Sequence, residues 1–358
     1  LFTLCPAIRS RMHRYNNTLL HTAGKKENMK TLSIGKSDIC SPYIAMGTWA
    51  IGGGTWWGEN DDALSIRTIS EAMEHGILWF DTAPVYGIGH SEEVVGKALK
   101  GKRDKVLLST KCGLEWDYET PCFHKVMEGR KVYRDLSPKG IRKNLEDSLR
   151  RLQTDYIDIY YTHWQSPDFA LYPLEETVGV LMDLKKEGKI RAIGASNVNA
   201  DIVRQYCRFG QLDVIQEKYS IVDTRIASEL VPVCEENQVS IQAYSPLEQG
   251  LLTGKVTMDT VLSSTDVRNK NRFWKPENRK LILDMMEKWT PLTEKYGCSP
   301  ANLVIRYTAS AINNLNILCG ARKPEQILDN AKALELQLQE DDIRRMTTML
   351  DEVRSHLI

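Results

Sequence analysis

The chain has 358 residues, of which 42% are hydrophobic and 26% are charged, proportions that are typical of a globular protein. Its 47 basic residues balance its 47 acidic residues, so the formal net charge is zero. This balance argues against a nucleic-acid binder or a membrane-surface binder, because both need a basic excess. No apolar stretch reaches the roughly 18 residues that a membrane span requires, so we expect a cytoplasmic protein without a membrane partner.

The eight cysteines form no CxxC pair, and no histidine cluster stands at metal-ligand spacing. We interpret these cysteines as reduced, small hydrophobic side chains and predict no metal site.

The first 28 residues differ in composition from the rest of the chain. Five basic residues precede the only acidic one, Glu27, which resembles the composition of an organellar transit peptide. A sequence with globular patterning begins at Met29. We predict that residues 1–28 are a disordered N-terminal extension and that residues 29–358 form a single domain.

From about Ser41 onward, short apolar runs alternate with charged, amphipathic segments of helical spacing. Strict alternation of strands and helices predicts parallel strands, and eight such units in about 300 residues predict an α/β fold of the (β/α)₈ TIM barrel type. The eight predicted strands are Tyr43–Trp49, Leu78–Ala83, Val106–Cys112, Ile157–Trp164, Ala192–Asn197, Val214–Ser220, Ser240–Pro246 and Asn316–Ala321.

A doubly wound sheet is the alternative fold for such alternation. That fold usually carries a GxGxxG turn after its first strand. Three consecutive glycines, 52–54, follow the first strand here, but no GxGxxG sequence with a later acidic residue completes the pattern. The barrel is therefore favoured.

Two accessory elements flank the predicted barrel. Residues 31–41 read as a short hairpin around Gly35 that closes the lower end of the barrel, and residues 341–353 read as an extra C-terminal helix. Three stretches, 114–136, 165–172 and 247–275, read as long loops, which in a barrel face the active site when they follow strands.

Four polar residues lie at or just beyond the ends of consecutive predicted strands. Asp81 ends the second strand, Tyr86 follows five residues later, Lys111 ends the third strand and His163 ends the fourth. Any one of them alone is more often a cap, a structural ion pair or a buried polar side chain. Because neighbouring strand ends of a barrel converge, the four together predict an active site. A catalytic metal at Asp81 and His163 is a weaker interpretation, since no third ligand stands at an obvious strand end.

These residues belong to a set of short motifs that resembles the aldo-keto reductase family, and within it the bacterial methylglyoxal reductases. The resemblance runs in order from about residue 30 to residue 355, and it is the order and spacing that make it specific. The motifs are Gly47-Thr48-Trp49, Asp81-Thr82-Ala83-x-x-Tyr86-Gly87, Thr110-Lys111, His163-Trp164, Gly194-Ala195-Ser196-Asn197, Gln216, Tyr244-Ser245-Pro246-Leu247, Gly250-Leu251-Leu252 and Gly320-Ala321-Arg322.

The resemblance implies an NAD(P)H-dependent oxidoreductase that reduces small aldehydes or ketones, such as 2-oxoaldehydes or sugar aldehydes, to alcohols. Tyr86 would donate the proton and Lys111 would lower its pKa, since a free tyrosine is a poor acid at neutral pH. Asp81 would hold Lys111, and His163 would orient and polarise the substrate oxygen. The family's potassium-channel β subunits imply an alternative, a cofactor-binding module with weak turnover.

The resemblance also implies a cofactor site and a substrate pocket. Ser196, Asn197 and Gln216 would bind the carboxamide of the nicotinamide, and Tyr244 would stack on its ring. The expected cofactor-binding positions are Gly47, Thr48, Trp49, Ser196, Asn197, Gln216, Tyr244, Ser245, Pro246, Leu247, Gly250, Gly320, Ala321, Arg322, Gln326 and Asn330. The expected pocket walls are Trp49, Trp56, Trp57, Trp116 and Trp164.

The choice between the two nicotinamide cofactors depends on the end of the last strand. Arg322 and Lys323 precede a helix that Pro324 opens, where a cation and a helix N-terminus favour the extra phosphate of NADP(H). Some bacterial relatives use NADH and lack a basic residue there. NADP(H) is therefore favoured and NAD(H) remains the alternative.

Overall fold

The protein is described by a computed structural model over residues 31–264 and 266–358. The predicted extension over residues 1–28 lies outside the described residues. The described chain begins with an antiparallel hairpin of β1 (Thr31–Ser33) and β2 (Cys40–Pro42). The later strands are β3 (Ile44–Gly47), β4 (Trp79–Asp81), β5 (Leu107–Cys112), β6 (Leu114–Glu115), β7 (Phe123–Met127), β8 (Arg130–Arg134), β9 (Ile157–Thr162), β10 (Ile190–Ser196), β11 (Val214–Lys218), β12 (Ser240–Tyr244) and β13 (Leu315–Gly320).

Eight of these strands close into a parallel barrel in the order β3, β4, β5, β9, β10, β11, β12 and β13. The predicted (β/α)₈ fold is confirmed, and each of the eight predicted runs overlaps one barrel strand. Because consecutive strands are neighbours, their carboxyl ends meet at one face of the barrel.

Helices surround the barrel, and several start at side chains suited to cap them. Asp61, Ser137 and Asn199 each accept a backbone N–H of the first turn, which satisfies a donor that a helix start leaves unpaired. The helices are α1 (Gly54–Trp57), α2 (Asp62–Glu74), α3 (His90–Leu99), α4 (Pro138–Leu152), α5 (Leu174–Lys186), α6 (Ala200–Phe209), α7 (Ile226–Glu229), α8 (Val231–Asn237), α9 (Pro276–Glu287), α10 (Thr290–Tyr296), α11 (Pro300–Ala311), α12 (Pro324–Lys332) and α13 (Glu340–His356).

The hairpin closes the lower end of the barrel as predicted. Ile34 and Ile39 are buried against inward-facing strand residues such as Trp79 and Val214. The Gly35 N–H donates to Oγ of Ser240, the first residue of β12, over 2.9 Å. The hairpin is thereby fixed opposite the face where the strands end.

The predicted C-terminal helix is present as α13, whose Met346 and Leu350 are buried in a cluster with Met285 of α9. No helix in the described part of the chain is long and apolar enough to cross a membrane.

The stretch 114–136 differs from its prediction as a loop. It forms a three-stranded antiparallel sheet in the order β6, β8, β7. Its β7–β8 turn places Glu128 at φ 47° and Gly129 at φ 73°. Stretch 247–275 carries short 3₁₀ turns, whereas 165–172 has no regular structure.

Candidate active site

A buried ion pair lies where β4 and β5 end. Lys111 Nζ donates to Asp81 Oδ1 over 2.6 Å and to the Thr82 carbonyl over 2.8 Å. The side chain of Lys111 is 0% exposed and that of Asp81 is 1% exposed. Burial by itself would lower the pKa of Lys111, but Asp81 and Tyr86 outweigh it and the pKa is raised. Lys111 is therefore a permanent cation at neutral pH.

Asp81 is held by more than the lysine. Its Oδ2 accepts the Ser109 hydroxyl over 2.7 Å and the Gln216 amide over 3.0 Å. These donors satisfy the second oxygen of an almost fully buried carboxylate, which makes its burial tolerable.

A row of amides connects Asp81 to the lower end of the barrel. Gln216 Nε2 also donates to Gln242 Oε1 over 2.6 Å, and Gln242 Nε2 donates to Asn316 Oδ1 over 2.8 Å. Asn316 Nδ2 ends the row on the Pro42 carbonyl over 3.0 Å. We call Gln216, Gln242 and Asn316 the amide ladder.

The sequence analysis missed Ser109 and two members of the amide ladder. A signal was available, because Gln216 pairs with Gln242 and Gln242 pairs with Asn316 in the register of three neighbouring strands. Three amide side chains at matching positions of three neighbouring strands indicate a polar row inside the barrel.

Tyr86 lies in the turn after β4, with its ring centroid 5.1 Å from Lys111 Nζ. Burial raises the pKa of Tyr86, and the Lys111 ammonium lowers it by less, so the net direction is upward. Lys111 thus acts on the pKa of Tyr86 in the expected direction, but burial outweighs it. Tyr86 carries its proton at neutral pH, as a proton donor must.

His163 faces the tyrosine from the end of β9. The two ring centroids are 5.9 Å apart and the planes are nearly perpendicular, at 85°. Burial and the Lys111 cation hold the pKa of His163 well below its usual range. The imidazole is therefore neutral and has one N–H to donate.

These groups meet at a cavity of about 1220 Å³ at the carboxyl ends of the strands. Asp81, Tyr86 and His163 line the cavity, whereas Lys111 lies behind them. The cavity exceeds the 300–1,000 Å³ that is typical of small-molecule sites. All the predicted cofactor positions also line it: Gly47, Thr48, Trp49, Ser196, Asn197, Gln216, Tyr244, Ser245, Pro246, Leu247, Gly250, Gly320, Ala321, Arg322, Gln326 and Asn330.

Tryptophans form one wall of this cavity. The Trp49 ring meets the rings of Trp56 and Trp57 edge-on, with centroids 5.4 and 5.2 Å away. Trp164 lines the cavity as well. Trp116 does not line it and instead packs against the small cluster under the β6–β8 sheet.

The part of the cavity across from the tryptophans has polar groups that suit a nicotinamide. Asn197, at φ 57°, donates from Nδ2 to the His163 carbonyl over 2.9 Å and accepts the Tyr244 hydroxyl at Oδ1 over 3.1 Å. Gln216 uses amide hydrogens on Asp81 and Gln242, which leaves its carbonyl oxygen as an acceptor. A carboxamide N–H is a suitable donor for that oxygen.

The far end of the cavity combines open backbone with a cation. A Cβ atom at Gly250 would meet nothing within 4 Å, so the backbone there is open to a bound group. Arg322 donates to the carbonyl of Trp57 over 2.7 Å and to that of Glu59. Arg322 thus lines the cavity while it also ties down the segment that carries the tryptophan wall.

The profile described as the aldo/keto reductase family matches residues 43–351. The chain belongs to the aldo/keto reductase family. It is 45% identical over 326 residues to the NADH-specific methylglyoxal reductase of Escherichia coli, covering 90% of this chain and 99% of that protein.

Solved structures agree with this assignment. A glycerol dehydrogenase from Gluconobacter oxydans is 36% identical with a TM-score of 0.80, over 92% of this chain and 96% of that one. An aldo/keto reductase from Klebsiella pneumoniae, in complex with NADP and acetate, is 25% identical with a TM-score of 0.67, over 90% and 96%. This aldo/keto reductase is thus an oxidoreductase of a family that reduces carbonyls with NAD(P)H. None of these relatives is named as a channel subunit, so that alternative gains no support.

Proposed function

We propose that this aldo/keto reductase reduces small aldehydes and ketones to alcohols at Tyr86. Methylglyoxal-like 2-oxoaldehydes and sugar aldehydes are the proposed substrates. The observation that carries the proposal is the buried Asp81–Lys111 ion pair directly behind a protonated tyrosine that lines the cavity.

Tyr86 delivers the proton that the carbonyl oxygen needs. Its raised pKa keeps the phenol protonated before reaction, and the Lys111 cation stabilises the tyrosinate that remains afterwards. Asp81 is the counter-charge of Lys111, and without it a cation would not be stable in this buried position beside the tyrosine.

His163 orients the same oxygen. As a neutral imidazole edge-on to Tyr86, it offers one N–H without a competing charge. Two donors aimed at one oxygen fix its position and stabilise the negative charge that develops on it.

The cofactor supplies the hydride when it is bound. Ser196, Asn197 and Gln216 would hold the carboxamide, and Tyr244 would cover the ring. The remaining cavity residues at Ser245–Leu247, Gly250 and 320–330 would hold the phosphates and the adenosine. We propose a preference for NADP(H) because Arg322 brings a cation to that end of the cavity. The name of the E. coli relative keeps NAD(H) as the alternative.

The tryptophan wall favours a small substrate. Trp49, Trp57 and Trp164 leave an apolar surface beside Tyr86 and His163, which excludes water from the developing charge. Glyceraldehyde-sized and methylglyoxal-sized carbonyls fit this description.

The replacement Tyr86→Phe tests the proposal, because it keeps the ring and removes the proton donor. We expect kcat for methylglyoxal to fall by about 10²–10⁴-fold, with the Kd for NADPH within about twofold of the parent value. Tyr156→Phe is the matched control, since that ring stacks under Arg103 and lies outside the cavity lining. Near-parental turnover by Tyr86→Phe would remove Tyr86 from its proposed role.

A further inference from the structure

Lys125 is a cation without a carboxylate partner at the edge of the substrate end of the cavity. It lies on β7, half-buried, with Nζ 4.4 Å from the centroid of the Trp56 ring. No ion pair to Lys125 occurs within residues 31–264 and 266–358. Burial and the positive charge of Lys270, which lines the cavity from the 247–275 stretch, lower the pKa of Lys125. The site has an excess of positive charge.

His124, the neighbour of Lys125, adds a hydrogen-bond donor. Arg134 Nε donates to His124 Nδ1 over 3.3 Å, and an arginine only donates, so the ring proton is on Nε2. Burial, Lys125 and Arg134 lower the pKa of His124 to about 4, so the ring is neutral. Nε2 is buried and has no acceptor among the described residues. An unpaired buried donor is costly unless a ligand accepts from it.

Both side chains stand at a fixed place relative to the reacting centre. Trp56 is in edge contact with Trp49, whose ring centroid is 6.3 Å from that of Tyr86. The β7–β8 turn is fastened to this wall, because Glu128 accepts the Thr55 N–H over 2.9 Å and its hydroxyl over 3.0 Å. The rings of Trp56 and Trp49 therefore lie between Lys125 and Tyr86, and His124 is next to Lys125 on β7.

We propose that Lys125 and His124 determine specificity by binding an anionic group, a carboxylate or a phosphate, at the far end of an aldehyde whose carbonyl is at Tyr86. This inference rests on the proposed function. An anion would neutralise the uncompensated lysine and accept the Nε2–H of His124, while Trp164 and Trp56 cover the carbon chain between the two ends. The substrate class is thus small aldehydes with a terminal negative charge.

The test compares charged aldehydes with matched neutral ones on the full chain with NADPH. The pairs are 4-oxobutanoate and its methyl ester, 4-formylbenzoate and its methyl ester, and glyceraldehyde 3-phosphate and glyceraldehyde. We expect a lower KM for the charged member, with an advantage that shrinks as NaCl is raised. The first two pairs report on carboxylate binding and the third on phosphate binding.

Variants assign the effect to the residue. Lys125→Met should raise KM for the charged member by about tenfold, the loss typical of one charge-assisted contact, and leave kcat and the neutral member unchanged. Lys125→Arg should keep the preference, and His124→Phe should reduce it. Lys131→Met is the matched control, because it removes the same charge from the neighbouring strand β8, where Lys131 pairs with Glu119.

The outcomes separate the two proposals. Equal kcat/KM for charged and neutral members in the parent would overturn the anion site alone. Equal losses on both members in Lys125→Met, or a raised Kd for NADPH, would also overturn it, because the lysine would then serve the fold or the cofactor. A parent that reduces neither member of any pair would refute the proposed function and this inference with it.

Discussion

Replacing Lys111 by methionine separates the electrostatics of the site from its shape. Methionine matches the length of the lysine side chain but has no charge, so the substitution leaves Asp81 as a lone carboxylate with 1% of its side chain exposed. The hydroxyl of Ser109 and the amide of Gln216 still donate to that carboxylate. They supply hydrogen bonds but no counter-charge.

The expected cost follows from this geometry. Breaking a buried ion pair by removing one partner destabilises a protein by about 3–5 kcal/mol. The two remaining donors place Lys111→Met toward the lower end, about 3 kcal/mol. The lone carboxylate of Asp81 is then an uncompensated buried charge, which is the reason for the loss.

A second variant shows whether charge is the cause. In Lys111→Met with Asp81→Asn, no buried charge remains, and we expect most of the lost stability to return. Activity should not return, because neither variant stabilises the tyrosinate at Tyr86. We expect both to retain less than about one hundredth of the parental kcat.

Urea unfolding at pH 5 and pH 8 measures the stabilities, and NADPH oxidation with methylglyoxal measures kcat. The reasoning is refuted if Lys111→Met is as stable as the parent at both pH values. It is also refuted if the double variant recovers turnover along with stability, since the lysine would then serve only to balance Asp81.

Three further predictions concern the cofactor, pH and the N-terminus. In steady-state kinetics, Arg322→Ala should raise the KM for NADPH by about tenfold and the KM for NADH by less than twofold. An equal rise in both KM values would show that Arg322 serves only to hold the Trp57 carbonyl. Burial raises the pKa of Glu217 to about 7, and its Oε1 accepts the Val198 N–H over 2.7 Å. Because the folded pKa is raised, the parent loses stability as the pH rises from about 4.5 to 7. Glu217→Gln should therefore have a higher Tm than the parent at pH 8 but not at pH 5. A difference in Tm that is the same at both pH values would contradict this. Deleting residues 1–28 should leave Tm and kcat unchanged, since the globular patterning of the sequence begins at Met29. A lowered Tm would show that the extension packs on the barrel.

The barrel and its catalytic end were predictable because parallel strands leave a strong pattern. Strands buried on both faces are continuous apolar runs, and polar residues such as Asp81 and Lys111 stand out at their ends. Strand order then brings those residues together without knowledge of any side-chain contact.

The β6–β8 sheet was not predictable in the same way. Its strands have two to five residues, are rich in charged side chains and mix buried with exposed positions. The turn that joins two of them is Glu128-Gly129, which lacks the Asn-Gly or Asp-Gly sequence that usually marks such a hairpin. The anionic specificity proposed for Lys125 depends on this sheet and was therefore invisible in the sequence.

The net direction of the pKa shift of Tyr86 could not be predicted from the sequence either. Proximity of a lysine predicts the sign of one contribution, but the degree of burial that opposes it depends on the whole tryptophan wall. Sequence identifies the partners of a titrating group more readily than its surroundings.

The amide ladder has a stereochemical consequence. A backbone carbonyl only accepts hydrogen bonds, so the Pro42 oxygen requires the N–H of Asn316, and each amide above it must then point the same way. Gln216 can accordingly present only its oxygen to the cavity, and in the proposed cofactor site that oxygen would accept an N–H of the carboxamide. A main-chain atom at the opposite end of the barrel thus sets which group Gln216 can offer to a bound ligand.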